Sequence, residues 1–183
     1  MTRQGVILYG PPTSGKDTIT AELARQDDRF ALVAKLKAGS GRTAGYRPVC
    51  IEDLTTLREA GRLVVETERY GNRYAVDRQD VEDLTASGRV PVVHMGNLAD
   101  LERLRAAIPL EWTAVLLWIP REVCAERSGR RGDADSPERL RAWDETSADL
   151  DAVSGPSPFD LTVHTDQAEP AEAARQIIEA VKP

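Results

Sequence analysis

Residues 10–18, with the sequence GPPTSGKDT, place two glycines and a lysine at the spacing of a phosphate-binding loop. In that pattern a glycine is followed, after four residues, by Gly-Lys, and Gly10, Gly15 and Lys16 fit it. Backbone N–H groups in such a turn point inward at a polyphosphate, and the lysine brings a point charge to the β and γ oxygens. The spacing therefore predicts a nucleotide-binding loop, which consists of Gly10, Pro11, Pro12, Thr13, Ser14, Gly15, Lys16, Asp17 and Thr18.

The position after Lys16 departs from this pattern, because it holds Asp17 where a Ser or Thr hydroxyl normally binds Mg²⁺. A carboxylate is itself a good ligand for Mg²⁺, so one interpretation is that Asp17 binds the cation directly or through water. In the other, Asp17 is an acidic residue in the first turn of a helix, where the helix dipole favours it, and Thr18 supplies the oxygen. The sequence leaves both interpretations open.

The segments around this loop indicate which elements position it. Residues 6–9 form a short apolar run before Gly10, which predicts a strand buried on both faces, and residues 18–24 supply the apolar side of a helix. Later predicted strands cover residues 31–34, 90–96, 113–119 and 161–165, and later predicted helices cover residues 78–88, 97–108, 121–129, 138–151 and 170–182. This alternation implies parallel crossovers, so we expect a three-layer α/β fold with a parallel central sheet and the loop at the carboxyl end of its first strand.

Residues 35–76 interrupt the alternation. Within them, residues 37–48 (KAGSGRTAGYRP) combine glycines, a proline and cations without a hydrophobic period, which predicts a loop. Residues 51–61 predict a helix, and residues 62–76 predict a hairpin that turns at the dipeptide Gly71-Asn72. We therefore expect a small inserted subdomain.

Composition restricts the possible partners. The formal net charge is −6 over 183 residues, which argues against a surface that binds nucleic acid or a membrane, since both need a basic footprint. Cys50 and Cys124 are too few and too far apart to form a metal site, and their scarcity is typical of a reducing cytoplasm. No apolar run approaches the length of a transmembrane helix. We expect one cytoplasmic domain over residues 1–183.

With these segments placed, the chain resembles the guanylate kinase superfamily of P-loop kinases nearly end to end. The similar segments are the phosphate loop GVILYGPPTSGKDT, the acceptor loop RTAGYRP, the hairpin YGNRYAV, the arginine-rich lid RRGDADSPERLRAW and the closing strand LTVHTD. The resemblance implies a P-loop kinase that transfers the γ-phosphoryl group of ATP, with Mg²⁺, to a small-molecule acceptor. It also implies an acceptor-binding subdomain at residues 35–76 and a lid at residues 127–137.

Cations and tyrosines in the insertion are the expected acceptor ligands. The resemblance places Tyr46 on an acceptor phosphate, with Arg42 and Arg47 beside it, and matches Tyr74 to a hairpin tyrosine. The full expected set of substrate-binding residues is Lys37, Arg42, Tyr46, Arg47, Glu66, Tyr74 and His94. Three alternatives stay open: the cations belong to a surface loop, Glu66 is on the polar side of a strand, and His94 has no role.

The expected catalytic residues surround the phosphates. Phosphoryl transfer mainly needs positive charge and positioning, and a closing lid would supply both while it excludes water. The expected set is Lys16, Arg127, Arg131 and Arg139. The alternative for the arginines is a solvated helix face.

The identity of the acceptor rests on what is missing. The family's guanine-reading positions fall at Val65 or Glu66, at Val76 and at the strand end His94-Met95-Gly96, so GMP is not the expected acceptor. The SGKD loop and the MGN segment look closer to ribose 1,5-bisphosphate phosphokinase, which favours a sugar phosphate. The alternatives are a true guanylate kinase and a non-catalytic guanylate-kinase-like binding module, and a homodimer also stays open.

Overall fold

The structure, a computed structural model, describes residues 3–130 and 136–181. These residues form nine strands and seven helices. In chain order the elements are β1 (Gln4–Tyr9), α1 (Lys16–Gln26), β2 (Phe30–Leu32), β3 (Lys35–Ala38), β4 (Tyr46–Pro48), α2 (Ile51–Glu59), β5 (Leu63–Arg69), β6 (Asn72–Asp77), α3 (Arg78–Ala86), β7 (Val90–Met95), α4 (Leu98–Ala107), β8 (Glu111–Trp118), α5 (Arg121–Arg130), α6 (Ser136–Asp151), β9 (Leu161–His164) and α7 (Pro170–Ala180).

The central sheet is parallel and has the strand order β2-β7-β1-β8-β9, so the strand before the phosphate loop lies in its middle. Alternate residues of β1 enter different cores. Val6 and Leu8 pack with residues of α1 and α7, whereas Ile7 and Tyr9 pack with residues of α3 and α4. Helices thus cover both faces of the sheet, and the predicted three-layer α/β fold is confirmed.

A second sheet, which we call the inserted sheet, contains the strands of the insertion in the order β4-β3-β6-β5. The prediction of a loop over residues 37–48 was therefore wrong at both of its ends. Pairing with β6 and β4 satisfies the backbone of β3, and such long-range pairing leaves little trace in the hydrophobic period of so short a segment. The hairpin also turns one residue earlier than predicted, at Tyr70-Gly71, because Arg69 pairs with Asn72 and both turn residues have positive φ.

The inserted sheet has an apolar face and a polar face. Leu36 and Ala75 on the apolar face pack with Leu54 of α2. The opposite face carries Lys37 and Tyr74, which are direct partners across β3 and β6. Because side chains alternate along a strand, the polar side chains of this sheet share one face, which is turned towards the phosphate loop. Residues of the polar face and of the phosphate loop line one cavity.

Two valines anchor the inserted sheet to the rest of the fold. Val65 and Val76 are paired across β5 and β6, and both are buried in the core that also contains residues of α3 and α4. In residues 3–130 and 136–181, none of the helices combines the length and apolar character needed to cross a membrane.

Candidate active site

The phosphate loop depends on two glycines. A Cβ atom at Gly10 would lie 2.3 Å from the carbonyl oxygen of Leu117, so any larger residue would push the loop off β8. Gly15 has φ of 93° and precedes α1 without a side-chain cap. The N–H groups in the first turn of α1 lack intrahelical partners, as in every α-helix, and here they open on the cavity described below.

Lys16 lies inside the curl of the loop. Its Nζ donates hydrogen bonds to the carbonyl oxygens of Gly10 at 2.7 Å and Pro11 at 2.8 Å. Burial lowers the pKa of Lys16 to about 7, and the neighbouring cations Lys35 and Arg69 contribute in the same direction. An anionic group beside this amine would therefore stabilise its charged form.

A second group of contacts fixes the loop from its outer side. The guanidinium of Arg127 donates to the carbonyl oxygens of Thr13 at 3.0 Å and Thr165 at 2.8 Å, and Thr165 Oγ1 donates to Ser14 O at 2.7 Å. Thr13, Arg127 and Thr165 border a smaller cavity of about 280 Å³. Arg127 was predicted to be catalytic, and in the structure its guanidinium binds the backbone of the loop. Arg131, which was also predicted to be catalytic, lies outside the described residues.

One larger cavity of about 580 Å³ runs from the phosphate loop to the polar face of the inserted sheet. Its cationic lining residues are Lys16, Lys35, Lys37, Arg42, Arg69 and Arg139. The carboxylates among its lining residues are Asp17, Asp100 and Glu138. In an acidic protein this excess of positive charge indicates a site for anions. The predicted residues that the cavity brings together also include Thr18, Tyr46, Tyr74 and His94.

Asp17 and His94 face each other at the mouth of the phosphate loop. Asp17 Oδ2 accepts a hydrogen bond from Arg42 at 3.1 Å, and Asp17 Oδ1 lies 3.8 Å from His94 Nδ1. On the other side of the ring, His94 Nε2 lies 2.7 Å from the hydroxyl of Thr20, which donates to Lys16 O at 2.8 Å. Assigning the hydroxyl proton to Lys16 O satisfies both contacts when Nε2 carries the ring proton, and this tautomer leaves the lone pair of Nδ1 towards Asp17. Burial and the charge of Lys16 hold the pKa of His94 well below its ordinary value.

Residues 37–48 are organised around Lys37. Its ammonium lies 5.6 Å from the ring centre of Tyr46 and 5.8 Å from that of Tyr74, and Nζ donates to Arg42 O at 2.7 Å. The two rings are 5.3 Å apart. Lys37 thus positions both tyrosines and Arg42 at once.

Asn72 holds the same loop to the hairpin. Its Oδ1 accepts a hydrogen bond from Ser40 N at 2.7 Å, and its Nδ2 donates to Tyr70 O at 3.1 Å. A Cβ atom at Gly39 would lie 1.9 Å from Asn72 Oδ1, and φ at Gly39 is 138°, so the contact requires glycine. The sequence showed a hairpin here but not this contact.

Two predicted acceptor ligands do not line the cavity. Arg47 donates to Asp80 at 2.8 Å and to the buried carboxylate of Asp77 at 2.9 Å, which it shares with Arg62. Glu66, which pairs with Ala75 across β5 and β6, accepts from Arg58 of α2 at 2.9 Å on the face of the inserted sheet opposite the cavity.

Lys35 and Arg69 also line the cavity, although neither is in the expected set of site residues. Lys35 Nζ lies 3.9 Å from Met95 Sδ, and burial lowers the pKa of Lys35 to about 8. Arg69 reaches the same strand end, where its NH1 would lie 3.7 Å from a Cβ atom at Gly96. The signal for both was the alternation of polar residues in KLK and TER, which places Lys35 with Lys37 and Arg69 with Thr67.

Two solved structures are similar to this chain in fold. No protein-family model and no curated protein matches the sequence. Among solved structures, a guanylate kinase from Anaplasma phagocytophilum superposes with a TM-score of 0.68 at 16% identity, over 97% of this chain and 84% of its own. The chain has the P-loop kinase fold. A sugar kinase from Janibacter sp. HTCC2649, solved without a ligand, superposes with a TM-score of 0.54 at 17% identity, over 98% of this chain and 94% of its own.

Proposed function

We propose that this protein is an ATP-dependent phosphotransferase whose acceptor is a small phosphorylated compound, with sugar phosphates ahead of GMP. The observation that carries the proposal is the shared cavity, in which the phosphate loop and the acceptor loop face each other across a cationic lining. A kinase needs two anionic substrates side by side, and such a cavity can hold both.

The residues on the phosphate side fit a nucleotide. Glycine is required at position 10 by the approach of Leu117, and the open first turn of α1 offers N–H donors to phosphate oxygens. The smaller cavity beside Arg127 and Thr165 lies on the other side of the loop and offers space for the base. Asp17 and Thr18 are the loop residues whose side-chain oxygen atoms are available to Mg²⁺, which neutralises phosphate charge when it is bound.

On the acceptor side, Tyr46, Tyr74 and Arg42 are suited to hold a phosphate group. In the reaction, an acceptor hydroxyl oxygen forms a bond to the γ-phosphorus of ATP as the bond to the bridging oxygen breaks and ADP leaves. Lys16 and Arg139 both line the cavity and supply positive charge to the transferred group.

The residues at the expected guanine-reading positions support an acceptor without a guanine base. Val76 is fully buried in the core, is not among the residues that line the cavity, and has no hydrogen-bonding side-chain group. At the end of β7 the chain instead offers Gly96 with the cations Lys35 and Arg69. A site that reads a base needs polar groups matched to its edge, whereas two cations favour an anionic or polyhydroxylated ligand.

A guanylate kinase is the second candidate, favoured by the TM-score of 0.68 with a protein of that activity. The resemblance of the SGKD and MGN segments to ribose 1,5-bisphosphate phosphokinase supports the first candidate instead. Both candidates predict the same nucleotide side and differ in the acceptor alone.

A coupled assay with ATP and Mg²⁺ separates them. The panel should contain nucleoside monophosphates, sugar phosphates and nucleosides. We expect a sugar phosphate to exceed GMP in kcat/KM by about 100-fold or more, in line with the discrimination that mismatched polar groups give. A kcat/KM for GMP of about 10⁴–10⁸ M⁻¹s⁻¹ would contradict the proposal. In parallel, ATP with Mg²⁺ should raise the melting temperature, which a binding module without nucleotide chemistry would not show.

A further inference from the structure

Asp17 and His94 occupy the two positions that flank the phosphates of a nucleotide in this loop. Asp17 follows Lys16 in the first turn of α1, and His94 is at the end of β7, next to Leu8 of β1 in the parallel register. In P-loop NTPases these two places hold the cation's ligands: a hydroxyl in the loop and a carboxylate at a strand end. In this chain the carboxylate is in the loop, and an imidazole is at the strand end.

The geometry of His94 is that of a metal ligand. A ligating histidine usually donates its second ring N–H to a fixed acceptor, which sets the tautomer and the ring orientation. Thr20 provides that acceptor at 2.7 Å, and its own proton is committed to Lys16 O. The free lone pair of Nδ1 therefore points at Asp17 Oδ1, so two acceptor atoms face each other at 3.8 Å with no protein donor assigned between them among the described residues.

The spacing fits one shared cation. Two ligand atoms that are each about 2.1 Å from a cation can be at most about 4.2 Å apart, and a small side-chain rotation brings 3.8 Å towards a right-angled pair. Arg42 binds Asp17 Oδ2, which leaves Oδ1 for the cation. Among the described residues there is no group of three or more metal-ligating side chains, so phosphate oxygens would have to complete the site.

We propose that Asp17 Oδ1 and His94 Nδ1 together bind the divalent cation that accompanies the nucleotide. The inference rests on the proposed function, because the nucleotide supplies the remaining ligands. A mixed oxygen and nitrogen set favours Mn²⁺ or Co²⁺ over Mg²⁺, which prefers oxygen alone. The protein should therefore bind the Mn²⁺ form of the nucleotide more tightly than the Mg²⁺ form.

Pulsed electron paramagnetic resonance of bound Mn²⁺ tests this contact directly. The probe is Mn²⁺ with an ATP analogue whose β,γ-bridge is a methylene group, so that the bridge adds no nitrogen. The chain contains two histidines, and labelling both with ¹⁵N should change the nitrogen modulation of the Mn²⁺ signal. The modulation should vanish in His94→Asn and persist in the matched control His164→Gln, because His164 is exposed on β9.

Affinity measurements complete the test. We expect His94→Asn to weaken Mn²⁺ binding to the nucleotide complex about tenfold or more, with a smaller change for Mg²⁺. Asp17→Asn should weaken both cations. Thr20→Val keeps the side-chain shape but removes the hydroxyl that contacts His94 Nε2, so it should reduce the ¹⁵N coupling while His94 and Asp17 both remain. This variant keeps the proposal testable if His94→Asn does not fold.

The outcomes separate this inference from the proposed function. Nucleotide and Mn²⁺ that bind without any histidine coupling would overturn the inference and leave the kinase proposal in place. A wild-type protein that binds no nucleotide would overturn both.

Discussion

The phosphate loop and the acceptor side are assembled in different ways. The loop is contiguous, and its shape is fixed by glycines and by backbone carbonyls that Lys16 and Arg127 contact. The acceptor side is built from side chains of β3, β4, β5 and β6, which alternate between two faces of the inserted sheet. Substitutions in the loop should therefore affect the transfer step, whereas substitutions on the acceptor side should affect the choice and affinity of the acceptor.

The largest expected effect tests the loop. Lys16→Ala should lower kcat on the order of 10³-fold, because it removes a preorganised charge from the transferred phosphoryl group. The melting temperature should remain close to that of the wild type, and Arg25→Ala on the exposed side of the same helix is the control. Turnover of Lys16→Ala near the wild-type rate would show that the loop lysine does not act in phosphoryl transfer.

A smaller effect is expected on the acceptor side. Tyr46→Phe and Arg42→Ala should each raise the acceptor KM about tenfold, since each removes one hydrogen bond to an anion, and leave the ATP KM within about threefold. Tyr46→Phe is the sharper variant, because Arg42 also contacts Asp17. If both variants weaken ATP alone, residues 37–48 do not bind the acceptor.

Arg47 should affect stability and leave the substrates unchanged. Burial alone would raise the pKa of Asp77, but hydrogen bonds from Arg62 and Arg47 hold it below the ordinary value. Arg47→Ala should cost about 1–3 kcal/mol of unfolding free energy at pH 7, because it removes a partner of a buried carboxylate. Because the pKa of Asp77 is lower in the folded state than in the unfolded state, its ionised form stabilises the fold at pH values above the unfolded pKa. This stabilisation is lost as the pH falls, so the difference in unfolding free energy between variant and wild type should shrink below about pH 4 in denaturant titrations. A raised acceptor KM with unchanged stability would contradict this prediction and would show that Arg47 binds the acceptor.

The smallest expected effect concerns Glu66. Glu66→Gln should change neither KM nor kcat by more than about twofold, since Glu66 pairs with Arg58 and is not among the residues that line the cavity. Steady-state kinetics with the preferred acceptor checks this, and a marked rise in the acceptor KM would show that the carboxylate reaches the substrate.

Local patterns determined much of the architecture. The apolar runs before Gly10 and at residues 31–34 predicted β1 and β2, and the alternation after residue 77 predicted β7, β8 and β9 with the helices between and after them. The insertion was harder because β3 and β4 are only four and three residues long, and long-range pairing stabilises them more than local period does. The sequence contained the polar alternation of Lys35 with Lys37, but it did not show which face would meet the loop.

The sequence by itself determined the phosphate loop, because the loop is local: nine consecutive residues set its glycines, its lysine and its place between a strand and a helix. Only the tertiary structure decided which cations face the cavity. Arg42, Arg47 and Arg127 look equivalent in the chain, yet Arg42 contacts Asp17 and Arg47 contacts a buried carboxylate. Arg127 contacts the carbonyl of Thr13 in the loop and that of Thr165 after β9. Those partners are 25, 30, 114 and 38 residues away along the chain, so the order and register of the strands set the pairs, and local composition does not encode them.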